Sequence, residues 1–247
     1  RLFGELITVY LKDISRGQSE FVAHNYYDPK GGTILIPLDP ALNPVENSQL
    51  YYKKYNKAKK GQKKISQQLR KTEMELEYYE SLENSLQDPL SFNNLIEIEE
   101  EMVKTGLLKV KKQPKARHRT PVTKPNSFIS SDGSEILVGR NNSQNDTLTM
   151  KIASTNDLWL HTQKIPGSHV IIRSQGSAIS NETLVEAANL AVYFSKARGS
   201  SKIAVDYTEK RHVRKPKGSP PGFVLYDNFK TIIIDPDPKI IEKFKLK

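Results

Sequence analysis

Four residues in the C-terminal half have side chains that can do chemistry. In Asp157-Leu158-Trp159-Leu160-His161, a carboxylate, the only tryptophan and an imidazole alternate with leucines, and His169 follows a Pro-Gly-Ser turn at 166–168. Successive side chains of a strand point to opposite faces. We therefore expect Asp157, Trp159 and His161 to share one face, with His169 close to His161 on the next strand.

The chemistry open to these residues is narrow. Two histidines and one aspartate are a weak metal site, and Ser168 lacks the strand-turn-helix context of a nucleophilic serine. The chain has no cysteine, which excludes cysteine nucleophiles and cysteine zinc sites. We expect no catalysis, no metal and no cofactor. Two roles remain for these four residues. They form either a structural hydrogen-bond network around the turn or a surface that binds nucleic acid or protein.

Basic residues are the second candidate binding feature. The formal net charge is +10, and it is concentrated in blocks at 53–64, 109–124 and 210–217. Such blocks are typical of nucleic-acid contact because neutralised phosphates release counterions, although a solvated helix face or a soluble linker is the alternative. An amide-rich segment at 139–146 could contact sugar and phosphate or only stabilise turns. The candidate RNA-binding residues are Lys53, Lys54, Lys57, Arg140, Asn141, Asn142, Lys210, Arg211, Arg214, Lys215 and Lys217, and the aromatic residues Tyr207, Phe223 and Tyr226 could stack on bases.

The elements before residue 126 predict a small base and a long arm. Residues 1–43 form the base, with an amphipathic helix over 2–14 and short strands at 20–24 and 33–37. Residues 44–112 form the arm, which begins with a capping box of Asn43 and Glu46 around Pro44. Residues 113–125 form a basic, proline-containing linker.

The arm is predicted to be a coiled coil. Eleven positions follow strict four-three spacing, which indicates a seam. These positions are Tyr51, Tyr55, Ala58, Gln62, Ile65, Leu69, Thr72, Leu76, Tyr79, Glu83 and Leu86. A turn at Asp88-Pro89 and a return helix from Ser91 to Lys104, with Leu95, Ile98 and Met102 as its apolar residues, would complete an antiparallel hairpin.

Residues 126–247 predict a separate α+β domain. A hairpin turns at 130–134, and Asn145-Asp146 is expected to cap a short helix that runs through Thr149–Ala153. A longer helix covers Ser180–Ala197. Further strands are expected at 158–161, 169–173, 203–207, 222–225 and 231–234, and the basic loop at 210–217 is expected to lack regular structure. The fold class is thus α+β, a helical hairpin arm on a small base followed by this domain.

An ordered series of short motifs resembles a known family, the NFACT proteins, which include bacterial RqcH and eukaryotic NEMF. The segments similar to the NFACT-R domain are Asn145-Asp146 with Leu148-Thr149, Asp157-x-Trp159-x-His161, Pro166-Gly167-Ser168-His169-Val170, Ala197-Arg198-Gly199-Ser200-Ser201, Val205-Asp206-Tyr207-Thr208, Val213-x-Lys215-Pro216 and Pro221-Gly222. Tyr26-Tyr27-Asp28-Pro29 and Ile36-Pro37-Leu38-Asp39-Pro40 resemble the middle coiled-coil region.

The resemblance implies a role in ribosome-associated quality control. Family members bind the large (50S) ribosomal subunit and tRNA and support C-terminal alanine tailing of stalled nascent chains. The chain begins at Arg1 without a methionine, and we expect it to be the non-catalytic C-terminal half of such a cytoplasmic, ribosome-associated factor. Bacterial relatives of the FbpA, PavA and FBPS kind are also called fibronectin-binding proteins. The alternative is therefore a surface adhesin for fibronectin or fibrinogen, and in neither case is membrane insertion expected.

Overall fold

The structure is a computed structural model that describes residues 1–87, 92–109, 124–176 and 178–245. It separates into two compact units, Arg1–Thr72 and Glu73–Lys247. The linker predicted at 113–125, except its last two residues, and most of the basic block at 109–124 lie outside the described residues, as does the turn at Asp88-Pro89. In the described segments no helix is long and apolar enough to cross a bilayer.

The first unit is a small helix-and-hairpin base. It contains α1 (Leu2–Val9), β1 (Glu20–His24), β2 (Thr33–Pro37) and the beginning of α2 (Pro44–Gln87). Both strands match their predicted bounds and pair antiparallel. The helix predicted over 2–14 instead ends at Val9, because the chain turns at Tyr10 to bury Ile14 beside Leu6 and Ile7.

The start of α2 has the predicted capping box. The Asn43 side chain accepts a hydrogen bond from the Glu46 N–H at 2.9 Å, and the Glu46 carboxylate accepts one from the Asn43 N–H at 2.7 Å. Two N–H groups without helical partners are thereby satisfied. The next turn is anchored to the base, since the Tyr51 hydroxyl donates to the Pro37 carbonyl at 2.6 Å.

The predicted coiled-coil seam is wrong in its register. Its members Ile65 and Leu69 are 70% and 57% exposed. The side chains that pack α2 against α3 (Phe92–Lys104) are instead Tyr78, Leu82, Ile98 and Met102. The seam carried Gln62, Thr72 and Glu83, so it offered little apolar area to hold its register. The extended hairpin pairing stays a prediction.

The second unit is built on a six-stranded antiparallel sheet in the order β10-β7-β5-β6-β4-β3. Its strands are β3 (Asn126–Ile129), β4 (Glu135–Val138), β5 (Leu158–Thr162), β6 (Val170–Ile172), β7 (Ile203–Glu209) and β10 (Lys230–Ile234). A two-stranded ribbon joins β8 (Val213–Arg214) to β9 (Leu225–Tyr226), and the helices are α4 (Asn142–Thr147), α5 (Asn181–Tyr193) and α6 (Pro238–Lys245).

Alternation along β5 separates two apolar clusters. Leu160 belongs to the main core, which contains the alanine-rich face of α5 and Ile241 of α6. Trp159 belongs to a smaller cluster on the other face with Leu148, Ile171 and Val213. The sheet is thus covered on both sides, and the predicted division of β5 between Trp159 and Leu160 is confirmed.

Several predicted bounds in this unit need correction. Asn141, not Asn145, caps α4, because its side chain accepts the Gln144 N–H. The chain then makes one π-helical turn over Leu148–Ile152. The longer helix is α5, which Ser180 caps and which ends at Tyr193, before the predicted Ala197. The strand predicted at 222–225 is β9, two residues long, whereas β8 and α6 were not foreseen.

Candidate nucleic-acid interface

The tryptophan and both histidines form one aromatic cluster on the outer face of β5 and β6. The Trp159 ring stacks on His161 with centroids 5.8 Å apart and planes 12° apart. His169 meets Trp159 edge-on at 5.3 Å and His161 at 5.5 Å. The predicted proximity of the two histidines is confirmed. Trp159 is fully buried, however, so this face is not an open surface.

Asp157 does not join the aromatic cluster. It precedes β5, and its carboxylate accepts the N–H groups of Ser154 at 2.8 Å and Ser174 at 3.1 Å. The Arg173 guanidinium lies 3.4 Å from the same carboxylate. The two loops flanking β5 and β6 thus bind the Asp157 side chain, which fits the structural hydrogen-bond network expected as one alternative for this motif.

Hydrogen bonds hold both imidazoles in place. The backbone N–H of His169 donates to the Asn145 side-chain oxygen at 3.0 Å, and the ring Nδ1 of His169 lies 2.7 Å from the Thr149 hydroxyl. His161 Nε2 lies 3.3 Å from the Gly167 carbonyl. Burial lowers the pKa of His161. Burial and then the neighbouring His161 set the pKa of His169 well below its usual value. Both rings are therefore neutral near pH 7 and are held as parts of a network.

A cavity of about 350 Å³ opens beside this cluster. Its walls come from α2, the turn after β5 and the proline-rich segment before β9. The lining residues are Glu77, Tyr78, Glu80, Ser81, Asn142, Asn145, Trp159, His161, Lys164, Ile165, Pro166, Gly167, His169, Pro220, Pro221, Gly222, Phe223, Val224, Leu225 and Tyr226. The cavity lies within the second unit, and its walls are mostly aromatic and aliphatic.

The amide-rich segment is occupied inside the fold. Asn141 is buried, caps α4 and donates to the Glu97 carboxylate of α3 at 2.8 Å. Asn142 is also buried and lines the cavity. Arg140 donates to the Asn126 side chain at 2.7 Å. Direct phosphate contact needs exposure, so these contacts favour a structural part for Asn141.

The basic block at 210–217 is more ordered than expected. A 3₁₀ turn over Lys210–His212 leads directly into β8. Lys215 is half-buried and pairs with Asp146, whose other oxygen accepts the Gly222 N–H at 3.0 Å. Asp146 therefore links this block, α4 and the cavity wall. Arg211, Arg214 and Lys217 are exposed, although Arg211 also pairs with Glu209.

The remaining candidates lie on α2 in the first unit. Lys53, Lys54 and Lys57 are exposed, and the Lys54 ammonium lies 5.4 Å from the centre of the Tyr51 ring. Across the described ranges, no three His, Asp or Glu side chains come close enough together to hold a metal ion.

Two residues important to this region gave no distinct sequence signal. Glu101 is one of three consecutive glutamates, yet it is buried and accepts the Tyr78 hydroxyl at 3.0 Å. Tyr226 was noted only as a possible stacking residue, but its ring packs 4.8 Å from Trp159 and its hydroxyl donates to Asp206 at 2.8 Å. Burial and this acidic partner raise the pKa of Tyr226, so the phenol stays protonated.

Comparison with known proteins matches both halves of the chain to one family. Residues 1–121 match the NFACT N-terminal and middle domains, and residues 124–227 match the NFACT protein RNA binding domain. Curated relatives called "Rqc2 homolog RqcH" are 43% identical in Bacillus subtilis and 41% in Streptococcus suis. The alignments include 99% and 98% of this chain, which spans 43% of the length of each relative.

A solved structure shows the same arrangement of elements over most of the chain. It is the C-terminal part of the fibronectin/fibrinogen-binding protein FBPS from Streptococcus suis, with a TM-score of 0.73 and 40% identity. The match covers 81% of this chain and 79% of that one. These similarities show that the chain belongs to the NFACT family of RqcH-like proteins.

Proposed function

We propose that this chain is the non-catalytic, RNA-binding half of a cytoplasmic ribosome-associated quality-control factor. In this role it binds the large (50S) ribosomal subunit, including its rRNA and proteins, and tRNA, and thereby supports alanine tailing of stalled nascent chains. The observation that carries the proposal is the basic block at 210–217, in which Arg211, Arg214 and Lys217 are exposed and which lies within the match to an RNA binding domain. The name of the curated RqcH relatives supports the ribosomal setting.

The physical basis is electrostatic. RNA is a polyanion, so each phosphate that a lysine or arginine neutralises releases a condensed counterion. Lys210, Arg211, Arg214 and Lys217 supply four such charges within eight positions. The exposed lysines of α2 at 53, 54 and 57 supply a second set. Lys215 is paired with Asp146, so we do not count it among the phosphate contacts.

The experiment compares binding by the wild-type chain and a loop variant with Lys210, Arg211, Arg214 and Lys217 replaced by alanine. Co-sedimentation with 50S subunits and gel shifts with tRNA are measured at physiological salt. We expect the variant to bind at least about tenfold more weakly with unchanged melting. The matched control replaces Arg16, Lys30, Lys239 and Lys243, which are also exposed. Equal binding by the loop variant and the wild type would count against this loop.

A second candidate function is a surface adhesin for fibronectin or fibrinogen. One observation favours it, namely the described binding of the FBPS protein whose structure this chain matches. The two functions differ in salt dependence, since adhesion to a glycoprotein through apolar contacts survives high ionic strength. Stoichiometric fibronectin binding in about 0.5 M salt, together with no binding to 50S subunits or tRNA, would favour the adhesin.

A further inference from the structure

The cavity beside Trp159 contains two buried hydrogen-bond donors without acceptors. Among the described residues, the indole N–H of Trp159 and the side-chain NH₂ of Asn142 are inaccessible and make no hydrogen bond. Both side chains line the cavity and are at most 2% exposed. Buried donors are nearly always paired because leaving them unsatisfied is costly. Both donors lie at one cavity, so a ligand with acceptor atoms that displaces the side chains covering them would satisfy both.

The walls specify more about that ligand. Trp159, His161, Phe223 and Tyr226 give the cavity an aromatic lining, which favours a flat, π-bonded group. Glu77 and Glu80 of α2 line the same space. Glu80 is already paired with Lys196 at 3.4 Å, so Glu77 is the carboxylate of this wall that can accept hydrogen bonds from N–H groups. An acidic side chain disfavours phosphates and other carboxylates, so the inserted group is uncharged and carries both acceptors and donors.

We propose that this cavity holds one unstacked nucleobase of a single-stranded RNA, an inference that rests on the RNA-binding function proposed above. A base combines a π face with ring nitrogens and carbonyl oxygens that would satisfy the two donors once the covering side chains move, and with N–H groups that can donate to Glu77. The volume of about 350 Å³ lies at the small end of ligand pockets, which are about 300–1,000 Å³. The backbone phosphates stay outside the cavity.

The charged groups at the cavity agree with this orientation. Lys164 lines the cavity and is exposed. Lys215 also approaches the wall, since its partner Asp146 binds the N–H of Gly222. An exposed cation on the lining and a carboxylate on the α2 wall agree with a phosphate outside the cavity and a neutral base inside it. Single-stranded RNA recognition uses this combination of backbone charge and aromatic stacking.

The experiment uses Trp159 itself, because it is the only tryptophan of the chain. A short single-stranded oligoribonucleotide is titrated into the full chain, and Trp159 fluorescence and the anisotropy of labelled RNA are both recorded. A second oligonucleotide of equal length and charge has abasic sites. We expect the intact RNA to change Trp159 fluorescence and to bind about 5- to 150-fold more tightly than the abasic RNA, which should bind without a fluorescence change.

A variant pair tests the wall. Phe223→Ala removes one cavity ring, and Phe92→Ala removes a ring that is 76% exposed on α3 and does not line the cavity. We expect Phe223→Ala to reduce the preference for intact over abasic RNA severalfold, while Phe92→Ala preserves it. Equal affinity of the wild type for intact and abasic RNA, without a fluorescence change, would overturn the base pocket and leave the RNA-binding function standing. A fluorescence response to peptides but not to RNA would overturn the pocket too. No binding of either RNA would overturn both proposals.

Discussion

The Glu101 carboxylate of α3 accepts two hydrogen bonds from Ser143 of α4, one from its backbone N–H at 3.0 Å and one from its hydroxyl at 2.9 Å. Its other oxygen accepts the Tyr78 hydroxyl of α2. Glu101 is 1% exposed. One buried carboxylate therefore connects three helices of the second unit, and its charge is stabilised only while all three donors stay in place.

Replacing this carboxylate by an amide should destabilise the second unit. Glu101→Gln directs an NH₂ group at donors, so at least one buried partner loses its acceptor. We expect a loss of about 1–3 kcal/mol in the free energy of unfolding, measured by urea denaturation with Trp159 fluorescence. Glu100→Gln changes the half-exposed neighbour, which forms only a surface ion pair with Lys104 at 3.9 Å, and should cost less than about 0.5 kcal/mol. Equal stability of the two variants would show that the Ser143 contacts contribute nothing net.

Gly222 provides a test of the cavity wall. Its φ is +79°, and an added Cβ would lie 2.7 Å from the Asn142 side-chain oxygen. Gly218 has a similar φ of +80° with open space around it. Both alanine variants should lose about 1–2 kcal/mol from the left-handed backbone, and Gly222→Ala should lose more because of the clash. Thermal melting of the two variants measures the difference. A Gly218→Ala loss as large as that of Gly222→Ala would contradict the close packing.

Stability of the second unit should fall as the pH decreases below about 6.5. Burial lowers the pKa values of His161 and His169, whereas in the unfolded chain each returns to about 6.5. Below that pH the unfolded state binds more protons than the folded state, so the free energy of unfolding decreases by up to about 1.4 kcal/mol per pH unit for each histidine. Urea midpoints between pH 5 and 8 measure this.

The same series can be run on His169→Asn. The variant loses one titrating group, so its stability should vary less steeply with pH below about 6.5 than that of the wild type, whatever its absolute stability. If stability varied with pH as steeply in the variant as in the wild type, His169 would have the same pKa in the folded and unfolded states, and its surroundings would not hold it neutral.

The capping box can be tested in the first unit. Asn43→Ala removes the acceptor for the Glu46 N–H and should reduce stability by about 0.5–2 kcal/mol. Asn56→Ala lies on an exposed position inside α2 and should be neutral or slightly stabilising, because alanine is the better helix former. Circular dichroism at the helix band during denaturation measures both. Equal effects would mean that Asn43 acts only through helix propensity.

Local signals explain which parts of the fold could be predicted. The strands of the first unit and the Asn43 cap depend on neighbours a few residues away, so their bounds were right. The start of α4 depends on which of several neighbouring asparagines caps the helix. Asn141 does so, and its side chain also binds Glu97, which lies more than forty residues upstream. Such a contact has no local signature.

The same difference between local and distant contacts decides how much of the candidate site could be predicted. Strand alternation predicted that Trp159 and His161 share a face, but not that distant residues cover it. The ring of Tyr226 comes from more than sixty residues downstream, and Tyr78 lies in α2. The α2 seam failed for the related reason that α3 packs on Tyr78 and Leu82, one position away from the regular spacing. The basic block, in contrast, could be located from the sequence alone, because exposed lysines need no tertiary partner.

The salt dependence of large-subunit binding tests the central claim most directly. The association constant of the wild-type chain for 50S subunits is measured from about 50 to 200 mM salt, beside that of the variant with alanine at Lys210, Arg211, Arg214 and Lys217. We predict a steep linear fall in log K against log salt, with a slope about 3 smaller in magnitude for the variant. A wild-type association constant that does not change with salt, or the same slope for both proteins, would contradict the account.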